Sequence, residues 1–149
     1  MTGVLVWPLA LLLALVTVTD LRSRLIPDLA LAPAAAIALV VVAAGDPGGL
    51  AERLAWSASA GGLLLAAALI RPEGMGLGDV KLAAVLGLYL GRAVAPALLI
   101  AFTAGALWGA AVIALRGWEA RSETIPFAPF LATGAAVAWV AADNLDQWS

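Results

Sequence analysis

Cysteine and histidine are both absent from the 149-residue sequence. Their absence excludes disulfides, zinc–thiolate sites, cysteine nucleophiles and every triad or general base built on imidazole. Charge is scarce as well, at 12% of residues, where soluble domains carry about a quarter. A formal charge of −2 leaves no basic patch for nucleic acid. What fills the chain instead is 64% hydrophobic residues, with a mean hydropathy of +1.03, the composition of a membrane protein. Any chemistry must come from Asp, Glu, Lys, Arg, Ser, Thr or Tyr.

The N-terminal apolar run does not read as a signal peptide. Met1–Thr19 has no positive leading region, and Arg22 and Arg24 come after the run. That order suits a first transmembrane helix with a cytoplasmic C-terminal end. A bilayer core needs roughly 20 apolar residues per helix. The sequence predicts spans over about Val4–Thr19, Leu29–Ala44, Ala51–Ile70, a short Val80–Gly91, Ala93–Leu115 and Ile125–Ala142. Breakers separate them: "GDPGG" (Gly45–Gly49), "RPEG" (Arg71–Gly74) and "RGWEARSET" (Arg116–Thr124). The expectation is an all-α, polytopic membrane protein of six helices, forming a single domain over residues 1–149.

Basic residues orient these spans. Arg22, Arg24, Arg71, Lys81, Arg116 and Arg121 fall on or beside loops one, three and five, whereas Arg53 and Arg92 fall on loops two and four. Loops one, three and five are therefore expected in the cytoplasm, with both termini outside. The short fourth helix reaches only about 18 Å at about 1.5 Å per residue, against a core of about 30 Å. It either continues towards Arg92 or leaves a water-accessible hollow. Two G-x-x-x-G pairs, Gly87/Gly91 and Gly105/Gly109, allow close helix packing.

Two acids stand out. Asp20 ends the first span in "TVTDLRSRLIPD", and Asp79 opens the fourth in "EGMGLGDVKLAAVLG". By the orientation above they share one membrane face and one approximate depth. Their settings differ: a helix C-terminus disfavours the charge of Asp20, and a helix N-terminus favours that of Asp79. If they approach closely, the pair titrates as a unit. Simpler roles exist for each residue. Asp79 suits an N-cap, Asp20 suits a boundary charge beside Arg22 and Arg24, and Lys81 suits an interfacial lysine. Asp28, Glu73, Glu119 and Glu123 read as solvated loop acids.

Three blocks then resemble one family. "GMGLGDVKLAAVLGLYLG" is similar to the G-x-G-D segment of the type IV prepilin peptidases, membrane aspartic proteases; Gly76, Gly78 and Asp79 fill the motif. "TDLRSRLIPD" resembles the family's first-aspartate segment, and "IPFAPFLATGA" (Ile125–Ala135) the opening of its last helix. The resemblance implies catalytic roles for Asp20 and Asp79 and a substrate that is the leader of a prepilin or pseudopilin. Cleavage is expected on the cytoplasmic side of the cell membrane, by water that one carboxylate activates while the other, protonated, binds the scissile carbonyl. Gly76 and Gly78 would form a flexible active-site loop, with Lys81 and Pro126 in supporting roles. No metal or cofactor is implied. Many members also carry an N-terminal region with paired cysteines, associated with N-methylation. This sequence lacks those cysteines, so the expectation is peptidase activity without a zinc site, with methylation, the pilus or secretion system served and oligomeric state left open.

A transporter or proton relay using intramembrane aspartates is the competing class. Against it, the acids cluster near helix ends and no inverted repeat is evident. A non-catalytic scaffold and a presenilin-type G-x-G-D protease are further alternatives, the latter weakened because Thr19, not tyrosine, precedes Asp20. The acids Asp28, Glu73, Glu119 and Glu123 form a candidate surface for docking a basic leader.

Overall fold

Chains this apolar satisfy their backbone groups in a membrane by forming helices, and a computed structural model shows them. It describes residues 2–23, 26–70, 72, 75–119 and 126–146. The described residues contain six α-helices: α1 (Thr2–Ser23), α2 (Asp28–Gly45), α3 (Leu50–Ile70), α4 (Leu77–Leu90), α5 (Val94–Arg116) and α6 (Ala128–Asp146). A 3₁₀ turn, Gly91–Ala93, joins α4 to α5. Among the described residues, four stretches are long and apolar enough to cross a membrane: Gly3–Ser23, Asp28–Gly45, Leu50–Ile70 and Leu77–Arg116, the last comprising α4, the turn and α5.

Helix α4 is the hub. Nine of its 14 residues are buried, and it touches α2, α3, α5 and α6, while α1 closes the bundle against α2 and α6. A helix that is apolar all round belongs in such a position. Small residues bring its neighbours close. A Cβ on Gly87 would lie 2.5 Å from the Ser57 Cα, and one on Gly61 would lie 2.9 Å from the Ala84 Cβ, so α3 and α4 pack nearly backbone to backbone. The Ser57 hydroxyl donates to the Ala84 carbonyl across this seam at 2.7 Å. Gly134 on α6 packs in the same way over the Ala97 carbonyl of α5. Of the two G-x-x-x-G pairs, Gly87 lies in a helix–helix seam, whereas Gly91 has φ 55° and serves as the turn that ends α4.

The 14 residues of α4 span about 21 Å, still short of a bilayer core of about 30 Å. The helix does not continue through Arg92. It stops at Leu90, and Arg53 from α3 donates to its last carbonyls, Leu88 O at 2.9 Å and Tyr89 O at 2.7 Å. Arg53 therefore sits within α3 and closes the end of α4, rather than standing as a loop charge. Beyond the end of α4 lies a cavity of about 780 Å³. The buried Tyr89 hydroxyl donates to Ala34 O at 2.8 Å and fastens α4 to α2.

Candidate active site

On α1, Leu5, Leu9, Leu12 and Val16 are buried, repeating every three to four residues along one face. The next position on that face is Asp20. Its side chain is turned into the bundle by the same periodicity that buries the leucines, and only 6% of it is exposed. Asp79 is 9% exposed and stands on α4 one turn before the buried Leu82 and Ala83. Both acids are thus core-facing residues at one end of the bundle, and they lie within electrostatic reach of each other. Asp20 is not an ordinary boundary charge.

Two expectations about their settings change. The N-cap of α4 is Gly76, with no side-chain capping bond, and Asp79 sits inside the first turn with its N–H donating to Gly76 O at 3.1 Å. Its Oδ1 is buried with no hydrogen-bond partner among the described residues. A capping carboxylate would spend itself on backbone N–H groups; this oxygen does not. Asp20 lies in the last turn of α1, three residues before its end at Ser23, and its Oδ2 accepts the backbone N–H of Ala128, the first residue of α6, at 3.1 Å. The N-terminus of α6 therefore offsets the unfavourable end of α1.

The "PFAPF" segment fixes that N–H. The Phe127 ring packs on Phe102, with centroids 5.3 Å apart, and on Phe130, 6.2 Å apart. A Cβ on Gly105 of α5 would meet the Phe127 ring at 3.2 Å. Anchored in this way, α6 begins where its first N–H reaches Asp20. Pro129 falls at the second helical position, where a missing N–H costs nothing, and Pro126 is half-buried just ahead of Phe127. Pro126 lies in the segment that leads into α6.

The remaining candidates separate. Gly76 has ordinary extended backbone, φ −79° and ψ 151°, and a Cβ there would stand 3.7 Å from Asp79 Oδ2. Gly78 is held close to the loop that follows α1, since its Cβ would come within 2.9 Å of the Ile26 Cβ. In this structure it is a packing contact, with no left-handed backbone that requires glycine. Lys81 turns away to pair with Asp28 at 2.7 Å, on an exposed surface. That pairing removes Lys81 from the acids and makes Asp28 the first residue of α2 rather than a free loop charge. Glu119 is also engaged. Arg24, Arg71, Glu73, Arg121, Glu123 and Ile125 lie outside the described residues; of the four acids expected to dock a leader, the two described ones, Asp28 and Glu119, are both engaged. Ile26 and Ala128 were not anticipated as parts of the site. The first has no chemical signal in sequence, and the second acts through its backbone alone.

Fold and site together define a multi-pass helical membrane protein with two buried aspartates brought together at one end of the bundle. The chain belongs to the type IV leader peptidase family, whose model matches residues 7–112. Among curated relatives, the prepilin leader peptidase/N-methyltransferase of Stutzerimonas stutzeri is 34% identical over 134 residues, 85% of this chain and 45% of the relative. The proteins of the same description from Bacillus subtilis (strain 168) and Aeromonas salmonicida (strain A449) are each 42% identical, over 90 and 77 residues. Those matches cover 59% and 51% of this chain but 36% and 26% of the relatives, so the chain spans less than half the length of the curated proteins it resembles. No solved structure matches the chain.

Proposed function

We propose that this chain is a membrane aspartic endopeptidase that removes the leader of a type IV prepilin or pseudopilin, with Asp20 and Asp79 as its catalytic pair. The observation that carries the reading is the convergence of two core-facing carboxyls, remote in sequence, on one end of the bundle, with Asp79 Oδ1 buried and without a hydrogen-bond partner among the described residues. A buried acceptor without a partner is costly, by about 1–3 kcal/mol, and a water or substrate group between the acids relieves that cost. Family membership and the names of the relatives support the substrate class.

In this reading the six helices lie in the bilayer of the cell membrane, α4 reaching only part of the way across, the termini lie outside, and the aspartates face the cytoplasm, as the arginine distribution favours. One carboxylate removes a proton from water while the hydroxide adds to the scissile carbonyl carbon. The other carboxyl, protonated, hydrogen-bonds the carbonyl oxygen. Collapse of the tetrahedral intermediate breaks the C–N bond as the first carboxyl returns its proton to the leaving amine. The hydrogen bond from Ala128 occupies one Asp20 oxygen and holds the carboxyl in orientation, so that the water meets a positioned base. Gly76 leaves the approach to Asp79 Oδ2 uncrowded for an extended leader.

The test is incubation of the purified chain in detergent with several short-leader prepilins, with the products weighed. The expected result is a single cut just after the leader glycine. Intact prepilins recovered from folded protein, together with proton or ion flux in vesicles that depends on Asp79, would replace this reading with the transporter one.

A further inference from the structure

The cavity of about 780 Å³ lies at the end of the bundle away from the aspartates: it takes Leu5 from α1, Tyr89 and Leu90 from the end of α4, and Ala142 and Asp143 from the end of α6. It exists because α4 stops short while the helices around it continue, and its size falls in the usual range of ligand sites, roughly 300–1,000 Å³. Its lining is mixed in an informative way. Arg53 and Arg92 flank Gly91 in the chain fold, with the Arg53 Cγ 3.7 Å from where a Gly91 Cβ would stand. Arg53 spends one terminal nitrogen, Nη1, on two backbone carbonyls, which leaves its other donors without a partner among the described residues. Among the described residues Arg92 and Asp143 have no hydrogen-bond or ion-pair partner, although both line the same space. Asp46 and Glu52 bring the lining acids to three; Asp46 accepts from the Gly49 N–H at 2.9 Å and Glu52 from the Trp56 indole at 3.4 Å, so Asp143 is the acid with no bond of its own among the described residues. Leu5, Ile100 and Val137 supply an apolar wall.

Opposite charges that share a cavity without neutralising one another suit a ligand bearing both signs. Two guanidinium groups recognise a phosphodiester, the acids recognise an ammonium that donates hydrogen bonds, and the apolar wall takes hydrocarbon. We propose that this cavity is a binding site for a phospholipid with a primary-amine headgroup, of the phosphatidylethanolamine class, with the phosphate at Arg53 and Arg92 and the ammonium at Asp143 and Glu52. Phosphatidylcholine presents the same phosphate, but its quaternary ammonium donates no hydrogen bonds. Phosphatidylglycerol has no cation.

The experiment is native mass spectrometry of the whole chain, delipidated in detergent and titrated with each of these three lipids. Wild type should retain phosphatidylethanolamine about tenfold more tightly than the other two, and Arg92→Gln should lose about tenfold in affinity for it. Asp143→Asn should erase the preference over phosphatidylglycerol while leaving the protein folded. Equal retention of the three lipids by wild type would overturn the proposal, as would phosphatidylethanolamine binding that is indifferent to Arg92→Gln. Glycerophosphoethanolamine, which lacks acyl chains, separates a lipid from a soluble phosphate ester: it should bind far more weakly, and binding as tight as that of the lipid refutes a lipid site. The readout is independent of proteolysis, so its failure leaves the peptidase reading untouched.

Discussion

Two glycines of one motif should respond differently to the same substitution. Gly78→Ala places a methyl 2.9 Å from the Ile26 Cβ, with two further Ile26 carbons at 3.3 and 3.4 Å. The nearest of these is attached directly to the backbone, so rotation of the Ile26 side chain cannot relieve it. Overpacking of this kind costs about 1–3 kcal/mol, and replacing a helical glycine by alanine returns up to about 1 kcal/mol. Net stability should therefore fall by between about 0 and 3 kcal/mol, and the protein should fold. The strain is relieved by movement of the first turn of α4, and Asp79 is the next residue. Misplacement of a catalytic group by about 1 Å can cost about a hundredfold in rate, so leader cleavage per folded molecule should fall ten- to a hundredfold at a temperature below the lowered thermal transition, where the variant is still folded. Gly76→Ala meets only an ordinary contact at 3.7 Å in permitted backbone, and should retain cleavage within a few-fold of wild type. Ile26→Ala added to Gly78→Ala removes the outer contacts but not the Cβ one, and should rescue only in part. Equal losses in the two glycine variants, or a greater loss in Gly76→Ala, would refute this reasoning.

Other residues give sharper separations of stability from activity. Gly87→Ala drives a methyl against Ser57 backbone, which cannot rotate away; α3 and α4 must part, and the melting temperature in detergent should drop by an amount equivalent to about 2–3 kcal/mol or more. Arg53→Met frees Leu88 O and Tyr89 O at the end of α4. Unfolding should show a loss of about 1–3 kcal/mol, with the cleavage rate per folded molecule kept. Lys81→Met breaks an exposed pair with Asp28 worth no more than about 1 kcal/mol. Cleavage should change by less than about threefold, and a loss of a hundredfold would return Lys81 to the catalytic machinery.

The helices were legible because apolar runs and Gly/Pro breakers are local properties. α4 emerged within three residues of its expected ends, as did its shortness. The burial of Asp20 was also written in the spacing of Leu5, Leu9, Leu12 and Val16, since the next residue on that stripe is Asp20. What sequence could not carry was the company that each residue keeps. Ala128 reaches Asp20 across 108 residues through a backbone N–H, to which side-chain identity offers no clue. Arg53 and Lys81 looked like topological charges because counting basic residues by loop takes each as free. One instead closes a helix end and the other answers an acid on α2. Asp79 fitted an N-cap by local rules, but Gly76 begins the helix three residues earlier and leaves the carboxyl inside the first turn.

The central claim, that Asp20 and Asp79 act together on one water, is tested most directly by single-turnover cleavage of one short-leader prepilin by wild type, Asp20→Asn and Asp79→Asn, each shown to be folded by its thermal transition. Asparagine keeps the shape and takes no proton from water, so each variant should lose about 10²–10⁴-fold or more in rate, and the double variant should be no slower than the worse single one, as for residues that act as a unit. Cleavage that survives either substitution at more than a tenth of the wild-type rate would contradict the account.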